Sequence, residues 1–258
     1  MPDGGEYFLV FKSMQAIISF LTIIPVPKSS IVDIDSIANK MHYFPLAGAM
    51  IGSLIGGLAY GISFYLQPPL IGFFITGAFV IITGVQHTDA LADFADGLMA
   101  KGSKDIKYKA MHDPAVGSAG VSSIILYIMG MVISVSSFHH GIRLFTSIVA
   151  AEVIAKYVMV LQSYRGLSAW EGFSSPFTRA MKDRRKILSA TAVTLPIVYF
   201  FGGGYYAGPI SLGVAVAIAT IIQHVSNKTL GGLSGDVIGA SNELARLSSL
   251  IVLSSVTI

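Results

Sequence analysis

Long apolar runs alternate along this chain with short polar segments, and the runs are too long to be strands or helices of a soluble core. Stretches of about 20 apolar residues match the hydrocarbon thickness of a bilayer once they are helical. On that reading membrane-spanning helices are predicted at residues 43–66, 70–86, 116–138, 142–161, 187–204 and 210–225. Two further runs, residues 8–24 and 244–258, are ambiguous. The second offers only about 22 Å of helix against a hydrocarbon core near 30 Å, so it spans, dips in partway or lies along the interface. The expected fold is all-α, a polytopic integral membrane bundle of about six to eight transmembrane or re-entrant helices. It forms a single membrane-embedded domain over residues 1–258, with no soluble domain and no clear linker.

Composition agrees with the pattern. Apolar residues make up 53% of the 258 and charged residues only 12%, and the mean hydropathy is +0.70. The chain has no Cys, which excludes a disulfide framework and a thiolate metal site. Its first residues, MPDGGEYF, carry acids and no basic stretch, which argues against a cleaved signal peptide. The net charge of +3 matters through its placement. Basic residues gather in 28–40, 101–109, 165–186 and around Lys228, whereas the alternate connections 67–69, 139–141 and 205–209 contain no Lys or Arg. By the positive-inside rule the basic segments are cytoplasmic, in an inner or cell membrane, with Arg143 a mild exception. The active site is then expected at the cytoplasmic face.

Against this scarcity of charge, three aspartates fall within eight residues, in HTDALADFADG at residues 87–97. On a helix Asp89, Asp93 and Asp96 occupy positions i, i+4 and i+7, an arc of about 60°. Like charges so crowded repel unless a cation or protons neutralise them, and an all-oxygen cluster suits a hard divalent ion. Mg²⁺ held by carboxylates at a membrane boundary points to a phosphate substrate, because the ion keeps open positions for phosphate oxygens. Asp236 and Glu243 repeat the seven-residue spacing in GDVIGASNE. A plain solvated helix end is the alternative for the acids, and a plain positive-inside loop is the alternative for KGSKDIKYK at residues 101–109. The turn MHDPAVGSAG, residues 111–120, offers backbone N–H groups to an anion, and the glycines of GGLSGD, residues 231–236, let a backbone approach a ligand. His87 and His112 border the acids, and Pro45 sets the entry angle of a helix.

Several of these segments together resemble the cobalamin synthase family, the adenosylcobinamide-GDP ribazoletransferases. The resemblance is carried by FLTIIPVP (20–27), YFPLAG (43–48), HTDALADFADG (87–97), MHDPAVG (111–117) and KTLGGLSGDVIGASNEL (228–244), and it spans essentially the whole chain. Four positions depart from the family pattern: Ile23 in place of Arg, Ala90 in place of Gly, Ala115 in place of a basic residue, and Lys156 in place of Arg in a middle helix. The resemblance implies transfer of the adenosylcobinamide phosphate group from adenosylcobinamide-GDP to α-ribazole or its 5′-phosphate, with release of GMP. It implies Mg²⁺ as cofactor, held by Asp89, Asp93 and Asp96, with Asp236 and Glu243 completing a second metal shell. One of these carboxylates, or His87, would orient or deprotonate the incoming hydroxyl. Asp113, His112, Gly232, Gly235, Lys228 and Pro45 are the candidate substrate contacts, and Glu152 with Lys156 would share the middle-helix role. The implied partners are these two substrates and the lipid bilayer, with no nucleic acid; a homo-oligomer is not readable from the sequence. A CDP-alcohol phosphotransferase fits poorly, because the spacing around Leu91, Ala92 and Asp93 is too tight. A divalent-cation transporter remains the alternative from a different class, and it would need its acids near the middle of spans.

Overall fold

The computed structural model describes residues 4–27, 32–138 and 141–256, with side chains described from residue 11 onward. Lys28 of the first basic segment, and His139 and His140 of a neutral connection, lie outside the described residues. The described chain is helical, and its nearest approach to a sheet is an isolated parallel bridge between Ser168 and Leu233. In order the helices are α1 (Gly4–Leu21), α2 (Ile34–Asn39), α3 (Phe44–Ile62), α4 (Pro68–Ile82), α5 (Gln86–Met99) and α6 (Lys104–Met111). They continue with α7 (Ser118–Ser136), α8 (Gly141–Arg165), α9 (Ser175–Ala180), α10 (Arg184–Phe201), α11 (Ala207–Thr229) and α12 (Gly235–Ser255).

The chain is a polytopic helical membrane protein. Among the described residues four helices are long and apolar enough to cross a bilayer: α7, α8, α11 and the Met41–Ile62 run that contains α3. They match the expected spans at 43–66, 116–138, 142–161 and 210–225. The run at 70–86 differs. It breaks after Ile82, and α4 and α5 together form a pair bent by 89°. The break is built from two left-handed residues, Gly84 at φ +70° and Val85 at φ +58°. A β-branched residue with positive φ is strained, so tertiary contacts hold this corner in place. The run at 187–204 belongs to α10, whose first turn is Arg184, Arg185 and Lys186; these charges keep it outside the apolar set. Residues 257–258 of the short expected segment 244–258 lie outside the described residues. As far as Ser255 the segment forms the second half of a longer helix that starts at Gly235 and carries Asp236, Glu243 and Arg246. At 1.5 Å per residue it runs about 31 Å, enough to match the hydrocarbon core.

The centre of the bundle is α8, 89% of whose apolar window is buried. In lipid the hydrophobic effect does not drive helices together, so close van der Waals packing must. α3 supplies it with Gly48, Gly52 and Gly56 on one face. A Cβ at Gly48 would stand 2.8 Å from the Glu152 carbonyl oxygen, and one at Gly52 2.8 Å from the Val149 Cα. α12 meets α5 in the same way, with Gly239 facing Ala90.

Contacts sort the connections into two ends. Lys186 donates to Asn39, Lys182 donates to the carbonyls of Tyr164 and Gly166, and the loop before α12 pairs with Ser168, so the basic segments gather at one end. At the other end the neutral connections meet, with Gly141 beside Ser63. Arg143 belongs to that end as a cap: its guanidinium donates to the carbonyls of Leu253 (3.3 Å) and Val256 (2.6 Å) at the C-terminus of α12.

Candidate active site

The bent corner at Gly84–Val85 sets α5 across the basic end of the bundle, with its N-terminus close to that of α12. Ser234 caps α12 by accepting from the Val237 N–H at 3.2 Å. Asp89 and Asp236 are both first-turn residues, where the positive end of the helix dipole favours an acid. Both line a cavity of roughly 470 Å³. Its polar wall also carries His87, Gln86 and Gly235, and its opposite wall is aromatic. There Phe20 of α1 stacks on Phe173 at 5.9 Å and leans on Phe177 at 5.6 Å. Phe44, at the start of α3, closes the group.

Asp93, one turn along α5, shares the field of these acids. Burial, then the neighbouring Asp89 and Asp236 carboxylates, push it from the ordinary 3.8 up to about 6, and His112 acts in the opposite direction. No salt bridge among the described residues engages Asp89, Asp93 or Asp236. They form an unneutralised cluster of one sign, two of whose members, Asp89 and Asp236, line the cavity. Among the described residues no group of three acidic or imidazole side chains is placed to hold a metal ion by itself. The two cavity-lining carboxylates, Asp89 and Asp236, still suit Mg²⁺, which usually takes one or two protein carboxylates and fills its other positions with water and substrate phosphate. The donor set is all oxygen, and the mutual repulsion raising Asp93 is what a bound cation would relieve.

Asp96 is placed differently. Its Oδ2 accepts from the Gly117 N–H (2.7 Å) and its Oδ1 from the Gly120 N–H (2.8 Å), so it caps the N-terminus of α7 from the neighbouring helix. Two N–H groups of the 111–120 turn, expected to receive an anion, are thereby taken up by the protein's own carboxylate. Lys107, in the expected phosphate-binding segment, caps α5 by donating to the carbonyls of Gly97, Leu98 and Ala100.

Glu243 lies two turns beyond Asp236 and inside the bundle, in a buried network that joins α7, α8 and α12. Arg246 donates to Glu243 at 2.5 Å, to Glu152 at 2.6 Å and to the Tyr127 hydroxyl at 3.0 Å, and its guanidinium sits over the Phe79 ring. Lys156 pairs with Glu152 at 2.9 Å and with Asn242 at 2.8 Å. The other Glu243 oxygen accepts from Asn242. Two acids and two bases cancel there, and each is buried. The geometry therefore gives Glu243 a structural partner in place of a second metal shell. Lys156 and Glu152 cannot reach a phosphate either, because both are fully buried and paired. A cation path through the bundle would need interior acids free to bind, and these are not. The network touches the cavity at one point: His87 lines the cavity, while its Nδ1, buried and without a hydrogen bond, faces Glu243 at 3.9 Å.

The remaining candidates divide. His112 and Gly235 line a second, smaller cavity that adjoins the first. The Asp113 carboxylate is spent on a local turn, accepting from the Ala115 N–H at 2.9 Å. Gly232 packs against the backbone of Leu167 and Ala169, where a Cβ would clash at 2.7 Å. Pro45 sits buried in the first turn of α3 and lines neither cavity. Lys228 is exposed and also lines neither. Lys104 lies closer, its Nζ 2.6 Å from the point a Cβ on Gly231 would occupy. The residues that sequence reasoning did not single out are Arg246, Asn242, Tyr127 and the cavity aromatics. Only Arg246 left a signal, as an isolated arginine in an apolar helix.

Comparison with known proteins agrees with the order of these motifs. The chain is similar to the adenosylcobinamide-GDP ribazoletransferase of Methanosarcina barkeri (strain Fusaro / DSM 804), at 33% identity over 96% of this chain and 92% of the relative. The protein of the same name from Pyrococcus abyssi is 30% identical over 93% and 97%. The one from Escherichia coli (strain K12/DH10B) is 29% identical over 94% and 99%. No solved structure matches the chain. The pattern of the family described as cobalamin-5-phosphate synthase matches residues 13–254, and the chain belongs to that family.

Proposed function

We propose that the chain, acting as one domain in a cell membrane with its basic end in the cytoplasm, is an adenosylcobinamide-GDP ribazoletransferase. It would join the adenosylcobinamide phosphate group of adenosylcobinamide-GDP to a hydroxyl of α-ribazole or α-ribazole 5′-phosphate and release GMP. The observation that carries this reading is a half-aromatic cavity lined by the unpaired acids Asp89 and Asp236, with Asp93 in their field. Carboxylates alone would repel a pyrophosphate, so the site as it stands calls for a cation to arrive with the substrate.

Asp89 and Asp236, with Asp93 beside them, would hold the Mg²⁺, which when bound would supply charge neutralisation for the pyrophosphate and the departing GMP. The chain's own groups do the rest. His87 lines the cavity, where its imidazole would orient the incoming hydroxyl while one of the cavity carboxylates takes the proton. The phenylalanine wall excludes water and supports an apolar aromatic base. Asp96 holds α7 against α5 and keeps the acidic helix in position.

The direct test is GMP release by the detergent-purified full chain supplied with adenosylcobinamide-GDP and α-ribazole 5′-phosphate, first with Mg²⁺ and then with EDTA. Metal-dependent GMP formed together with a cobamide product is the expected result. A folded protein that yields no GMP under either condition would overturn the reading.

A further inference from the structure

The two cavities share one wall, made of Phe173, Ser174, Gly235 and Asp236, yet their other walls differ in chemistry. The larger, roughly 470 Å³, is enclosed by Phe20, Met41, Phe44, Met159, Phe177 and Ile238 opposite its acids. The smaller, roughly 210 Å³, is lined by Tyr108, His112, Trp170 and Glu171. Its volume falls below the range of about 300–1,000 Å³ for sites that take whole drug-sized molecules, so it suits a fragment such as a single bicyclic base. Three rings supply flat faces: Tyr108 stacks on His112 at 4.1 Å and meets Trp170 edge-on at 4.7 Å. Glu171 stands beside them with its side chain 83% exposed, paired only loosely with the 65% exposed Arg179 at 3.3 Å. A surface pair of that kind contributes little and gives way readily to a better donor.

We propose that the smaller cavity is the guanine subsite for the activated substrate and that Glu171 determines its specificity. The inference rests on the function proposed above. Guanine presents two adjacent donors, N1–H and the 2-amino group, and a carboxylate is an acceptor-only fork that takes both. Aromatic faces bind any base by stacking, so discrimination must come from Glu171. The acceptor's benzimidazole, once attached to ribose, has no N–H donor. Placed beside Glu171 it would offer the carboxylate no donor, leaving it to water and Arg179, whereas the apolar larger cavity asks nothing of it. With the two bases on opposite sides, the shared wall at Gly235 and Asp236 is where the pyrophosphate and the attacking hydroxyl meet.

The test is equilibrium binding of GMP, IMP and AMP to the detergent-purified full chain, wild type and Glu171→Gln, alongside KM values for both substrates. IMP lacks the 2-amino group and should bind at least about tenfold more weakly than GMP, with AMP weaker still. Glu171→Gln should weaken GMP by about tenfold or more and erase most of the GMP/IMP difference. It should raise the KM for adenosylcobinamide-GDP and leave that for α-ribazole 5′-phosphate unchanged. Trp170→Ala should weaken all three purines alike. The proposal is overturned if Glu171→Gln keeps the GMP/IMP preference, if it raises the KM for the ribazole substrate instead, or if the wild type binds no GMP. Binding of GMP with the full Glu171 dependence but no cobamide product would uphold the subsite and sink the proposed reaction.

Discussion

Two groups of acids meet α12 two turns apart, one at Asp236 and the other at Glu243, and the protein treats them in opposite ways. At the cavity, Asp236 joins Asp89 and Asp93 with no basic partner among the described residues. Deeper in, Glu243 and Glu152 are matched by Arg246 and Lys156, and every charge is buried and hydrogen-bonded. A membrane protein tolerates interior charge when it is cancelled on the spot, so the balanced group ties helices together. Charge of one sign left unpaired beside a cavity marks the place where something positive must arrive. The sequence spacing of seven is the same in both acidic motifs and does not distinguish the two situations; the partners do.

The largest effect should come from breaking the balanced group. Arg246→Leu strands two buried carboxylates and should cost about 3–5 kcal/mol, read as a lower unfolding midpoint in detergent. Next comes Asp93→Asn, which should lower turnover about 100-fold or more, near 2.7 kcal/mol, without lowering the unfolding midpoint. Together the two variants separate holding the fold from doing the chemistry, and a collapse of stability in Asp93→Asn would erase the contrast. Asp96→Ala leaves the Gly117 and Gly120 N–H groups without their acceptor and should cost about 1–2 kcal/mol of stability. Its effect on turnover should be smaller than that of Asp93→Asn.

The contrast also appears in pH dependence. The folded-state value of Asp93 lies above the ordinary 3.8, so its contribution to stability is present in full below about pH 4 and is lost as pH rises through about 6. Metal-free protein should therefore become less stable across that window, and saturating Mg²⁺ or Asp93→Asn should flatten the slope. The smallest effect is expected at the corner. Val85→Gly relieves the positive φ at the expense of unfolded-state entropy, so the unfolding midpoint should shift by less than about 1 kcal/mol equivalent.

The helical membrane architecture was legible because apolar run length is a property of single segments. Four runs became the four spans with ends shifted by a few residues. The bend at Gly84–Val85 was not legible, because nothing in a Gly-Val pair announces a left-handed valine; only packing imposes it. The helix from Gly235 to Ser255 was cut short on reading, since its charges look costly until their partners on α8 are known. Scarcity of charge and spacing point to Asp89, Asp93, Asp236 and His87, and the structure brings Asp89, Asp236 and His87 to one cavity. The structural duties of Asp96, Glu243, Lys156 and Lys107 were not, because each depends on a contact distant in sequence or on backbone groups that composition does not reveal. The aromatic wall is scattered over α1, α3, the segment before α9 and α9 itself, so no local pattern could assemble it.

The most direct test of the contrast is the Mg²⁺-dependent rise in unfolding midpoint of wild type, Asp236→Asn and Glu243→Gln, each in detergent and without substrate. A ligand L that binds only the folded state stabilises it by RT ln(1 + L/Kd), so the midpoint rises with Mg²⁺ concentration wherever the site binds the ion. Wild type and Glu243→Gln should both respond to Mg²⁺, the latter from a lower starting midpoint, and Asp236→Asn should lose most of the response. A response that survives Asp236→Asn and vanishes in Glu243→Gln would contradict the assignment and return Glu243 to the metal.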